Sequence, residues 1–259
     1  MKELLEDRTA VVYGAGGAIG GAVAEAFARE GANVQLAGRT VASVERVARR
    51  VTDAGGRAHV AQLDALDEAA IEEHLDRVVQ ETGRIDISFN AVGFQEVQGV
   101  PLVELSLDDF AFPIASWSRT VFLTSRAAAR RMIGQGSGVI LMVKPPAESA
   151  GLASGFGVAC ATVESIARIL AAEVGPHGVR VLILQPNALP ESEGLQASVA
   201  QYAKGLGITA EEAFGQLANG TLLKRLPTLS DVGNIAAFVA SDRASSMTGA
   251  IVRIDGGST

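Results

Sequence analysis

The segment Gly14-Ala15-Gly16-Gly17-Ala18-Ile19-Gly20 is the first place in this chain where residue types and spacing could do chemistry. Glycines so spaced let the backbone approach a pyrophosphate and aim N–H groups and a helix N-terminus at it. A glycine-rich turn can also be no more than a tight bend. Here the apolar run Thr9–Tyr13 precedes it and a helical pattern follows, which is the setting a nucleotide-binding turn requires. Gly14, Gly16, Gly17, Ile19 and Gly20 are therefore candidate dinucleotide contacts.

The second apolar run ends Ala37-Gly38-Arg39-Thr40. A carboxylate there would accept both ribose hydroxyls of NAD; Gly38 leaves room instead, and Arg39 can pair with a 2′-phosphate. The expected cofactor is NADP(H), with NAD(H) the less favoured alternative. Asp64, followed by Ala65, can accept from an adenine amino group or cap a helix near Asp67. Asn90 and Ala91 come to the same edge, where Asn90 is either a ligand contact or a bridge between strand ends.

Other reactive side chains are few. Lys144 ends an apolar run, where α/β sheets place their ligands, and a partly buried lysine can act as acid, base or nucleophile. Cys160 lies in an apolar helix and is either a core residue or a thiol activated by a nearby cation. Tyr202 is a candidate substitute acid. Ser149 and Ser154 offer hydroxyls in a glycine-containing loop. His59, His74 and His177 lack ligand spacing and there is one cysteine, so no metal is expected.

These residues need a scaffold. Thr9–Tyr13, Asn33–Ala37, Ala58–Gln62, Ile85–Phe89, Gly138–Val143, Val179–Leu184 and Ala250–Ile254 read as strands buried on both faces. Helix-period segments separate them, including Ala161–Val174. The repetition predicts an α/β fold over residues 1–259: a single Rossmann-type, doubly wound, seven-stranded parallel sheet with helices on both faces. Residues 188–226 break the rhythm and are expected to form a helical lid, with pieces near Glu193–Lys204 and Ala210–Ala218. The 259 residues suit one large domain; 48% are hydrophobic, 20% are charged and the net charge is −7. That balance argues against nucleic acid or an anionic membrane as partner. No apolar run approaches the roughly 20 residues of a membrane span, and the start is no targeting peptide, so a cytoplasmic location is expected.

On these motifs the chain resembles the short-chain dehydrogenase/reductase family. Gly14-x3-Ala18-x-Gly20 matches its glycine motif with Ala18 for the middle glycine. Asp64 matches the adenine-contacting aspartate, and Asn90-Ala91-Val92-Gly93 an Asn-Ala-Gly motif. The stretches Glu173–Val181 and Ser230–Gly257 match its later wording. The resemblance implies an acid–base relay of asparagine, serine, tyrosine and lysine. Alignment through Arg168 and Glu173 puts Phe156 at the tyrosine and Cys160 at the lysine. Trp117 falls at the asparagine, and Val143, Lys144 and Pro145 span the serine. Pro186-Asn187 replaces Pro-Gly, and Glu191 falls near a threonine that meets the nicotinamide carboxamide.

A divergent member lacking the relay is thus expected: an NADP(H)-binding oxidoreductase that moves hydride to or from a small organic substrate. Lys144 or water would handle the proton, and an activated C=C or C=N bond would suit it best. The alternative is a non-catalytic nucleotide-binding or partner subunit; a non-redox enzyme reusing the pocket is a third reading. The resemblance also implies a homodimer or homotetramer through the helices near Leu107–Ile133 and Gly157–Val174.

Overall fold

A computed structural model of the chain describes residues 3–147 and 153–258. The side chains at positions 197, 198, 201, 202 and 204–206 lie outside the described residues. Seven strands, all paired in parallel, form one sheet in the order β3-β2-β1-β4-β5-β6-β7. They are β1 Thr9–Tyr13, β2 Asn33–Gly38, β3 Arg57–Gln62, β4 Ile87–Asn90, β5 Gly138–Val143, β6 Val179–Pro186 and β7 Ala250–Ile254. The order reverses between β1 and β4, and the crevice outside the carboxyl ends of those strands is where a doubly wound sheet takes its ligand.

Eight α-helices occur among the described residues: α1 Ala18–Arg29, α2 Val41–Asp53, α3 Glu68–Thr82, α4 Leu107–Gln135, α5 Ser154–Val174, α6 Glu193–Leu206, α7 Ala210–Asn219 and α8 Leu229–Ala240. Strand side chains alternate between the faces. Val12, Val34 and Leu36 pack with α1, α2 and α8, whereas Val11, Ile140 and Ile183 pack with α3, α4 and α5. Gly233 lets α8 close onto α1, since a Cβ there would stand 2.9 Å from the Ala22 carbonyl oxygen. Helices α6 and α7 share a small apolar cluster that includes Val199, Ala203 and Ala213.

Three expectations need correction. Strand β3 is at the sheet edge and mostly exposed, so its apolar residues do not report burial on two faces. Helix α5 starts seven residues before Ala161, at Ser154, so that Phe156 as well as Cys160 lies on the helix. The stretch Ser154–His177 is also long and apolar enough by composition to cross a membrane. Its buried residues, among them Cys160, Val163, Ala167 and Ala171, face the interior of the domain, as in the core helix of a globular sheet.

Candidate functional site

The crevice at the β1/β4 switch holds a cavity of about 390 Å³. Its floor is the turn from Tyr13 to Gly20. Gly38, Arg39, Thr40 and Ser43 form one wall, Leu63, Asp64 and Ala65 a second, and Ala91 to Phe94 a third. The glycines are required by geometry. Gly14 has φ +73°, and a Cβ there would lie 2.6 Å from the Ala91 carbonyl oxygen; one at Gly20 would lie 2.3 Å from that of Gly14. Gly17 caps α1 with no side-chain hydrogen bond, leaving the first N–H groups of the helix for a ligand.

Of the expected cofactor contacts, Gly14, Gly16, Gly17, Ile19, Gly20, Arg39, Asp64, Ala65 and Ala91 all line this cavity. Arg39 is exposed and has no carboxylate partner among the described residues. Asp64 is not the cap of α3: Asp67 takes that role by accepting from the Ala70 N–H, while Asp64 accepts from the Leu66 N–H at 3.0 Å. Asn90 is a bridge. It is buried, donates to Thr124 Oγ1 at 2.9 Å and accepts from the Val92 N–H at 3.0 Å, which fixes the Ala91–Gly93 turn. Pro186 is the buried last residue of β6 and does not line the cavity. The open cradle and the unpartnered Arg39 fit a dinucleotide carrying a further phosphate.

The other end of the crevice is built from side chains. Trp117 on α4 and Phe156 on α5 meet edge to face, 5.0 Å between ring centroids, and both pack on Ala147, Ala153 and Cys160. Gly155 and Gly157 allow this closeness: a Cβ at Gly155 would lie 2.2 Å from the Phe110 carbonyl oxygen, and one at Gly157 2.7 Å from that of Ala147. On β5's exit Lys144 is 0% exposed, with Nζ 3.5 Å from Glu164 Oε2. Glu164 is one helical turn beyond Cys160 and also pairs with Arg168 at 2.8 Å. Burial lowers the Lys144 pKa, while Glu164 and the Cys160 sulfur oppose that shift. Burial pushes the Cys160 thiol up to about 12, against the pull of Lys144. Cys160 is therefore a protonated core thiol and not a nucleophile.

Lys144 and Cys160 are thus brought close enough to interact electrostatically. Ser154 donates to the Val100 carbonyl oxygen at 3.1 Å. Glu191 accepts from the Leu229 N–H at 2.9 Å, tying the start of the lid to α8. His177 is in a short turn after α5. Tyr202 belongs to α6, but its side chain lies outside the described residues, as does Ser149. No group of metal-ligand residues occurs among the described residues. The sequence reading missed Phe94 and Ser192, which line the cavity, and Glu164, the partner of Lys144. Only Glu164 carried a signal, its four-residue spacing from Cys160.

A family model described as enoyl-(acyl carrier protein) reductase matches residues 14–259. The cis-4-hydroxycyclohexanecarboxylate dehydrogenase of Sinomonas cyclohexanicum is 33% identical over 270 residues, covering 100% of this chain and 99% of that protein. The peroxisomal 2,4-dienoyl-CoA reductase of Rattus norvegicus is 29% identical, covering 99% and 85%. An NAD+-bound xylitol dehydrogenase superposes with a TM-score of 0.90 at 25% identity, covering 98% and 99%.

Proposed function

The chain belongs to the short-chain dehydrogenase/reductase family, and from that premise we propose that it is an NADP(H)-dependent oxidoreductase working without a tyrosine proton donor. One observation carries the reading. The cavity at the β1/β4 switch is floored by the glycine turn, while Phe156 and Cys160, which the family resemblance puts at the relay positions, are a ring with no acidic proton and a buried thiol whose pKa burial raises. Bound cofactor would supply hydride. The glycine turn and α1 would hold the pyrophosphate, Arg39 the 2′-phosphate and Asp64 the adenine. Lys144 is fully buried and paired with Glu164, so in this reading protonation is left to water.

Hydride transfer without an acid suits an acceptor whose charge is delocalised, an activated C=C or C=N bond, better than a plain ketone. The dienoyl-CoA reductase among its relatives, by its name a producer of an enoyl product from a dienoyl one, supports that substrate class. A homodimer or homotetramer in the cytoplasm is part of the reading. Phe112, Phe122 and Ile133 on α4, with Val158 and Ile169 on α5, leave apolar surface for a second copy. The second reading, a nucleotide-binding subunit without catalysis, is favoured by one observation: Trp117 and Phe156 touch each other, and Lys144 is paired with Glu164.

The test is calorimetric titration with NADPH and NADH, followed by NADPH oxidation with conjugated enones against saturated ketones. NADPH should bind the more tightly, and Arg39→Ala should weaken it by about 10- to 100-fold with little effect on NADH, as expected for one charge-assisted phosphate contact. Equal affinity for the two nucleotides would overturn the cofactor assignment. NADPH binding with no turnover of any acceptor would select the second reading.

A further inference from the structure

Trp117 is the only tryptophan in the chain. Its place is firmly set: Thr120 Oγ1 donates to its carbonyl oxygen at 3.1 Å, and the neighbouring Ser118 shares a 3.0 Å hydrogen bond with Thr162 on α5. The ring packs on Phe156 and its indole Nε1 is shielded from solvent, yet the N–H meets no acceptor among the described residues. Buried indole N–H groups ordinarily find a partner, and an exception calls for an explanation. The neighbours Phe156, Ala147, Ala153 and Cys160 offer no side-chain oxygen. A donor is thus kept dry in an apolar wall, at the position where the relay asparagine is expected.

We infer that the Trp117 indole N–H is the hydrogen-bond donor to the substrate's carbonyl oxygen, and that the substrate is an α,β-unsaturated carbonyl compound. This deepens the reading of a reductase without a proton donor and rests on it. An indole N–H stabilises developing negative charge without giving up its proton, so it can serve conjugate addition where it could not complete a ketone reduction. The step balances with NADPH as reductant. Hydride forms a C–H bond at the β-carbon, and the C=C π pair shifts toward the carbonyl oxygen held by Trp117. Water then protonates the α-carbon, and solvent neutralises the hydroxide. NADPH is oxidised by two electrons and the C=C bond is reduced by two. Because Nε1 is buried, the packing around it must open as the substrate binds.

The test uses full-length protein labelled with 15N-tryptophan, in which a single indole N–H resonance reports Trp117. With NADP+ present, which cannot donate hydride, cyclohex-2-enone should move this resonance downfield and cyclohexene should not. Trp117→Phe keeps a ring and removes the donor. It should lower kcat/KM for the enone by about 100-fold, the usual cost of losing one such donor, and leave NADPH affinity unchanged. An indole resonance unmoved by the enone, or wild-type kcat/KM in Trp117→Phe, overturns the assignment. If the wild type oxidises no NADPH with any conjugated acceptor, the reductase reading fails, while the resonance shift still decides whether Trp117 is the carbonyl donor.

Discussion

At the β1/β4 switch the crevice is open and floored by a glycine turn, whereas the neighbouring cluster of Trp117, Phe156 and Cys160 is filled by side chains from α4 and α5. The first end stays open because Gly14 and Gly20 admit no Cβ and because Asn90 ties down the Ala91–Gly93 turn through its own hydrogen bonds. The second is filled by Trp117, Phe156 and the Lys144–Glu164 pair. Backbone geometry is hard to change one residue at a time, while a side-chain relay can be dismantled by single substitutions. Under the proposed reading the nucleotide site is kept while the chemistry is altered, and the contrast separates into effects of different size.

The largest effect should come from breaking the open end. Gly14→Ala puts a side chain on a residue with φ +73° and drives its Cβ to 2.6 Å from the Ala91 carbonyl oxygen. Either the turn moves or β4's exit loop does, and both displace groups that line the cavity. NADPH affinity should fall on the order of 100-fold, equivalent to about 2.7 kcal/mol, together with a lowered thermal midpoint. Calorimetry at matched folded fractions reads the first. An unchanged affinity would mean that the cradle does not hold the pyrophosphate.

The filled end should respond differently to losing either member of its ion pair. Glu164→Gln takes the carboxylate of this ion pair from the fully buried Lys144 ammonium; Lys144→Met removes the buried charge and leaves Glu164, 25% exposed, to water and Arg168. Removing one partner of a buried pair costs several kcal/mol, less when the pair reaches solvent. Glu164→Gln should therefore cost about 2–3 kcal/mol in urea unfolding and Lys144→Met under about 1. Equal losses would mean that Lys144 is held by something other than Glu164. Neither substitution should alter NADPH affinity, because neither residue lines the nucleotide cavity.

The contrast also explains what could be read in the sequence. The sheet, its switch point and most of the residues that line the cavity there were legible, because strand burial and glycine spacing are local properties. Strand β3 misled because an edge position is a property of the assembled sheet, invisible in Ala58–Gln62 alone. Asn90 could not be assigned without Thr124, which lies 34 residues away on α4. Phe156 and Cys160 could be placed by alignment, but not the filling of their site. That depends on α4, β5 and α5 converging, on glycines at 155 and 157 that let α5 approach, and on Glu164 receiving a lysine from a different element.

The smallest effect tests whether the filled end is dry, through the protonation of Cys160. Burial raises its pKa from 9.0 to about 12, so the folded chain keeps the thiol proton across that window while the unfolded chain begins to lose it near 9. Ionisation then favours the unfolded state. The Cys160 contribution is fully present below pH 9 and declines as pH rises above it, by about 1.4 kcal/mol at pH 10. Other groups titrate in the same range, so the quantity to measure is a difference. The stability gap between wild type and Cys160→Ala, from urea unfolding at pH 7.5 and pH 10, should shift by that amount in favour of the variant. A gap independent of pH would mean that water reaches the thiol, and that the aromatic pair is a loose cover rather than a plug.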